Sequence, residues 1–233
     1  MSMEGCTPDP HSAAPGTAEE AAPICPLCQD RGATAYHRDR WRSYWRCRVC
    51  ALVYVSPSSH PTPQAEKARY DQHENDPGDN RYRQFLSQLS TPLLDRVAPG
   101  AVGLDFGSGP GPTLGPMLTE AGLSVQLYDP FYAPNAAVWT RRYDFITASE
   151  VVEHLHAPRK ELARLFSALK PGGYLGILTQ WIIDDNVFIR SRYIRDPTHV
   201  CFFSALTCTW IARHWAVSLE LPGRGVSLFR TPP

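Results

Sequence analysis

The chain has no excess charge of either sign, because 23 Lys and Arg balance 23 Asp and Glu. Bulk charge therefore does not mark it as a partner of nucleic acid or of an anionic membrane. It has no apolar run near the roughly 20 residues that cross a bilayer, so no membrane partner is expected. The opening stretch MSMEGCTPDPHSAAPGTAEEAAP lacks the basic and apolar blocks of a secretory signal, and a cytoplasmic location is the expectation. In that reducing setting the seven cysteines point to metal ligation or free thiols rather than disulfides. Residues 1–22, rich in Ala, Pro, Gly and Glu, read as a disordered tail.

Four of the cysteines fall into two C-x-x-C pairs, Cys25-Pro-Leu-Cys28 and Cys47-Arg-Val-Cys50, with eighteen residues between them. Each such turn presents two thiolates to one ion, and two turns complete the closed tetrahedral four-thiolate site of a structural Zn2+. A redox C-x-x-C would need a thioredoxin-like βαβ unit around it. The Tyr44-Trp45-Arg46 approach and the ALVYV run at 51–55 then read as strands of a zinc ribbon over 23–60, too small to fold without the metal. Cys201 and Cys208 read as small buried hydrophobes, with Cys6 left over. The ribbon also carries Arg31, Arg38, Arg40, Arg42, Arg46 and Arg48 among Tyr36, Trp41, Tyr44 and Trp45. That mix admits two readings: a surface that grips RNA by phosphate contacts and base stacking, or aromatics forming the module's own core beneath a solvated face that Asp30 and Asp39 interrupt.

The proline-rich SPSSHPTPQ at 56–64 reads as a linker into a helical segment, the whole of 61–99 forming linker and lid. Phe85, Leu86, Leu89, Leu93 and Leu94 keep helical spacing there, after an N-D-P-G-D turn at 75–79.

The richest stretch is VGLDFGSGPGPTLGPMLTEAGLSVQLYDPFY at 102–132. Val102, Leu104 and Phe106 make an apolar strand. Gly107, Gly109 and Gly111 allow a sharp turn and close approach of a ligand, and a helix is expected from Pro112 until Gly122 stops it. Leu123, Val125 and Leu127 form a second strand ending at Asp129, eighteen residues past Gly111, where a carboxylate can accept hydrogen bonds from ribose hydroxyls. The nicotinamide dinucleotide pattern G-x-G-x-x-G fails, because Pro112 stands where its third glycine belongs.

Asp105 with the three glycines resembles instead the first motif of the class I S-adenosylmethionine (SAM)-dependent methyltransferases. The resemblance continues through YDFITASEVVEHL at 143–155, LKPGGYLGILT at 169–179 and DPTHVCFFS at 196–204, and covers most of 100–233. It implies an α/β fold, a Rossmann-like doubly wound seven-stranded sheet with a terminal antiparallel hairpin, preceded by the small zinc ribbon. The hairpin falls on AVSLEL and VSLFRT, and only about ten residues, 133–142, are left for a short or frayed third strand. The cofactor is then SAM, held by Asp105, Gly107, Ser108, Gly109, Gly111, Asp129, Pro130, Ser149 and Glu150. Tyr70, His73, Asn75 and Tyr82 are candidate lid contacts. Trp181, Arg190, Tyr193 and Arg195, in the insert after the fifth strand, are candidates to grip a small-molecule acceptor.

The expected activity is methyl transfer to a hydroxyl or other nucleophile of a small metabolite, with His154 and His199 as catalytic candidates. Two other functions remain open: an RNA methyltransferase guided by the ribbon, and a SAM-binding regulatory module without turnover. E-x-x-E-H resembles the metal-binding motif of ubiquinone-pathway O-methyltransferases and small-RNA 2′-O-methyltransferases. It implies a second divalent metal held by Glu150, Glu153, His154 and His199, the first three on one face of an expected helix. A plain hydrogen-bond network is the alternative for the same residues.

Overall fold

The computed structural model describes residues 22–72 and 76–233. The expected tail up to residue 21, Cys6 and the lid candidates His73 and Asn75 lie outside the described residues. In chain order the elements are β1 (Ala33–Arg38), β2 (Ser43–Cys47), β3 (Val53–Val55), α1 (Pro63–Tyr70), α2 (Asn80–Leu94), β4 (Val102–Phe106), α3 (Leu114–Glu120), β5 (Ser124–Tyr128), β6 (Tyr143–Ser149), α4 (Pro158–Ser167), β7 (Leu169–Leu178), α5 (Asp185–Phe188), β8 (Cys201–Phe202), α6 (Ala205–His214), β9 (Ser218–Gly223) and β10 (Val226–Arg230). No described helix is long and apolar enough to cross a membrane.

The large sheet has the order β5-β4-β6-β7-β10-β9. Its first four strands are parallel and its last two antiparallel to their neighbours. Residues alternate between its two covered faces, as a parallel sheet requires. Leu89, Phe145, Tyr174, Leu178 and Leu228 pack on one side with α2 and α3, while Leu104, Ile146, Leu175, Ile177 and Phe229 pack on the other with Leu162, Leu165 and Ile211 of α4 and α6. Seven strands were expected and six are found among the described residues. In place of the third, Ala136–Thr140 makes a single 3-10 turn. The short interval after Asp129 leaves no length for both a strand and its return, and Trp139 fills the gap, edge-on to Phe106 and Tyr128 with the Arg164 guanidinium 3.5 Å from its ring centre. The α3 helix begins at Leu114, two residues later than Pro112 predicts.

The N-terminal module gathers its four thiols. Cys25 and Cys50 sulfurs lie 3.5 Å apart, those of Cys28 and Cys47 lie 3.3 Å apart, and all four fall within 4.8 Å of one another. The two C-x-x-C turns share one backbone form. In each, the residue after the second cysteine is left-handed, Gln29 at φ +65° and Ala51 at +59°, and donates its N–H to the carbonyl of the first cysteine.

This module does not have a core of its own. Its strands β1, β2 and β3 are completed by β8, which pairs Val53 with Phe202 and Tyr54 with Cys201. Leu52, Val53 and Tyr54 belong to the same continuous apolar cluster as Phe202, Phe203, Phe166 and Phe229. The reading in which the module's aromatics form a core of their own is corrected: three short strands cannot cover their own apolar face, and the VCFF run of the large domain covers it. Cys47→Ser, which dismantles the thiol cluster, is therefore expected to lower the midpoint of one cooperative unfolding transition of the whole chain. Chemical denaturation followed by tryptophan fluorescence and by circular dichroism checks this, and two separate transitions would show that the module melts independently.

Candidate active site

At the carboxyl end of β4 the chain reverses through Gly107 at φ +76° and Gly109 at +68°. A Cβ on Gly107 would stand 2.5 Å from the Val151 side chain, so this position excludes any larger residue. The N–H of Gly109 donates to Asp129 Oδ2 at 3.0 Å, and Asp129 Oδ1 accepts from the N–H groups of Phe131 and Tyr132 at 2.8 and 3.0 Å. These bonds fix the carboxylate at the end of β5. It edges a cavity of about 440 Å³ lined by Gly107, Ser108, Gly109, Asp129, Pro130, Ser149 and Glu150, with Tyr70 and Tyr82 from the preceding helices closing the far side. Ser149 Oγ is buried there with no hydrogen-bond partner among the described residues.

Asp105 and Gly111 do not line this cavity. Asp105 lies beneath it, accepting from Thr147 Oγ1 at 2.8 Å and from the Gly115 N–H at 3.2 Å. It thereby ties β4 to β6 and to the first turn of α3. Burial pushes its carboxyl up to about 6 despite those two donors.

The E-x-x-E-H segment departs from the expected helix. Glu150 is left-handed at φ +53°, Val152–His154 form one 3-10 turn, and the next α-helix starts only at Pro158. A left-handed Glu150 followed by one isolated 3-10 turn leaves the three side chains with no shared helical face. Glu153 is fully buried. Its Oε2 accepts from Thr179 Oγ1 at 3.0 Å, and its Oε1 has no hydrogen-bond partner among the described residues. His154 and His199 border the cavity with rings 4.7 Å apart. His154 Nδ1 lies 3.1 Å from the Thr198 carbonyl and His199 Nδ1 lies 2.7 Å from that of Tyr193, and because a carbonyl can only accept, Nδ1 carries a proton in each ring. Burial lowers the His154 pKa and keeps that ring neutral. The ligand atoms of Glu153, His154 and His199 fall within 4.8 Å of one another, and Glu150 is not part of that group.

Glu150 instead borders a second cavity of about 470 Å³, whose lining includes Gln88, Thr179, Trp181, Phe188 and Arg224. Among the described residues it is the one titratable side chain lining both cavities. Burial, and then the neighbouring Glu153, raise its carboxyl to about 8. Of the residues expected to grip an acceptor, Trp181 lines this cavity, whereas Arg190 and Arg195 line neither. Tyr193 is half-buried against His199, its hydroxyl 2.8 Å from Thr179 Oγ1.

The raised Asp105 pKa gives a pH dependence with a definite sign. Its folded value lies above the usual 3.8, so its contribution to stability is full below about pH 4 and is lost as pH rises through about 6. Relative to Asp105→Asn, the wild-type protein should lose on the order of 2–3 kcal/mol of stability across that window. Urea denaturation of both proteins at pH 4, 5, 6 and 7 checks it, and a constant difference between them would contradict the assignment.

Known proteins give the site its context. A family model described as a methyltransferase domain matches residues 78–215, more than half of the chain. None of the curated proteins compared with the chain matches it in sequence. Among solved structures, the 1,6-didemethyltoxoflavin N1-methyltransferase of Burkholderia thailandensis, with 1,6-didemethyltoxoflavin and S-adenosylhomocysteine bound, is similar over 86% of this chain and 100% of its own, at 17% identity and a TM-score of 0.51. An O-methyltransferase family protein of the same organism is similar over 76% of this chain and 65% of its own, at 18% identity and a TM-score of 0.47. With a matching domain model over most of the large sheet and the fold to go with it, the chain belongs to the methyltransferase domain family, as a class I SAM-dependent methyltransferase.

Proposed function

We propose that the enzyme transfers the methyl group of SAM to a hydroxyl or other nucleophile of a small metabolite. The observation that carries this reading is the meeting of two cavities at Glu150, one bordered by the glycine turn and Asp129, the other by Trp181, Gln88 and Arg224. SAM brings a methyl group already made electrophilic by its sulfonium, so the protein's work is alignment and proton removal. Gly107–Gly109 and Pro130 leave room for the nucleoside, and Asp129 accepts from its ribose. Tyr70 and Tyr82 cover the other end. The acceptor enters beside Trp181, and Glu150, facing both chambers, takes its proton. His154 and His199 are the remaining candidates for that proton.

Two metal sites belong to the same reading. Cys25, Cys28, Cys47 and Cys50 fit a structural Zn2+, because four thiols crowded within 4.8 Å cannot all ionise without a cation. Glu153, His154 and His199 fit a second divalent ion: a buried carboxylate oxygen lacks a partner among the described residues, and each imidazole is oriented through Nδ1 by a backbone carbonyl. One carboxylate and two imidazoles suit Mn2+, Fe2+, Co2+ or Zn2+. Such an ion would lower the pKa of an acceptor hydroxyl. Glu150, expected as a fourth ligand, serves this reading better as the base.

The RNA reading draws on the ribbon arginines, and two of the six are engaged inside the protein. Arg42 is buried and Arg46 pairs with Asp185 of α5. Arg31, Arg38, Arg40 and Arg48 stay exposed, with Arg40 over the exposed Trp41 ring.

Incubation with methyl-labelled SAM and separate metabolite and RNA fractions distinguishes the readings. Label is expected in the metabolite fraction. Label in RNA, with steeply salt-dependent binding, would assign the enzyme to RNA, and SAM binding with no labelled product would assign the regulatory role. Asp129→Ala should weaken SAM binding in calorimetry by about 1.5–3 kcal/mol, through lost charge-assisted hydrogen bonds. Glu150→Gln should leave that affinity within a few-fold and slow methyl transfer by roughly 10²-fold or more. Unaltered transfer would remove Glu150 as the base.

A further inference from the structure

Arg42 lies in the N-terminal module, yet its guanidinium is spent on the segment that carries His199. Only 9% of the residue is exposed. Nε donates to the Tyr44 hydroxyl at 3.1 Å. One terminal nitrogen donates to the carbonyls of Pro197 and His199 at 3.2 and 2.9 Å, the other to those of Ile194 and Asp196 at 2.6 and 3.0 Å. A guanidinium has five N–H donors, and here five oxygens accept them, four being main-chain carbonyls within six residues. The Tyr44 hydroxyl lies 3.0 Å from the same Ile194 carbonyl and donates to Asp39 at 2.9 Å.

The gathered segment in turn holds the imidazoles. The Thr198 carbonyl orients His154 and the Tyr193 carbonyl orients His199. The Val200 N–H donates to the Glu153 carbonyl at 2.8 Å, so the backbone of the third member of the cluster is tied to the residue that directly follows this segment. Asp196 braces the segment from the other side, accepting from Arg69 of α1 and from both donors of Thr198. We propose that Arg42 is a positioning residue of the active site: by drawing four carbonyls of residues 194–199 onto one planar cation, it sets where His154 and His199 stand. The N-terminal module is then a part of the active-site framework, not an appended binding domain. This rests on the reading of the two histidines as active-site groups.

Lysine tests the idea sharply, because it keeps the charge but has three donors on one atom and cannot span four carbonyls. The experiment uses the full chain carrying Arg42→Lys, with Arg42→Gln as a second variant, each kept if the zinc on its four cysteines and its SAM affinity match wild type. Nuclear magnetic resonance of histidine-labelled protein reads the ring tautomers of His154 and His199, assigned by signal loss in His154→Ala and His199→Ala. Wild type is expected to show the Nδ1–H form alone and the variants a mixture. Transfer of label into the metabolite fraction should fall at least about tenfold in kcat, the scale of loss from small misplacements. In a His154→Ala, His199→Ala background the same Arg42 substitution should cost little more. Unchanged ring signals in a folded variant, or an undiminished loss in the combined background, would overturn the proposal. If the histidine variants transfer methyl as wild type does, the reading of the histidines fails instead, and the ring signals still decide whether Arg42 places them. Failure of both variants to keep the cysteine-bound zinc and SAM affinity would make Arg42 a folding residue and overturn the proposal as well.

Discussion

The pairing of β3 with β8 is the constraint on which the rest of the molecule turns. Two residue pairs join the cysteine-bearing sheet to the large domain. Through them one apolar cluster runs from Leu52 to Phe229, and the segment just before β8 is held where its carbonyls meet Arg42 and its histidine meets the cavity. The same region is tethered a second time at α5, where Asp185 receives the Tyr36 hydroxyl and the Arg46 guanidinium. Both ties are directed at the insert that follows β7, which walls the second cavity.

What could be read from the sequence is what depends on neighbours in the sequence. The glycine turn, the strand before it, the acid eighteen residues on and the C-x-x-C pairs each state their geometry within a few positions, and the strands at 102–106 and 143–149 lie where their apolar patterns put them. The frayed third strand was legible as a shortage of residues, though not its replacement by a 3-10 turn.

The remainder depends on contacts distant in the chain or on one unusual dihedral. Glu150 takes a left-handed conformation without being glycine, so the spacing of E-x-x-E-H reads as helical while the backbone turns Glu153 inward. Non-glycine residues pay steric strain there, and such strain gathers where a site needs a particular direction of side chain. Arg42 is the harder case. Inside a run of six arginines it looks like one more solvated cation, and nothing near it in sequence announces that its partners lie more than 150 positions away.

That separation also bears on how the chain reaches this structure. Val53 and Phe202 are 149 positions apart, so the sheet around the cysteines stays one strand short until the chain has been made through Phe202. Closing so long a loop is entropically slow compared with forming the local β1–β2 hairpin or the β4–α3–β5 unit. A chain emerging from the ribosome would carry its four thiols and the exposed edge of β3 until those 149 positions have been added. An ion captured early by those thiols would hold the hairpins together through that interval, giving the cysteine cluster a role in the order of folding as well as in the finished fold.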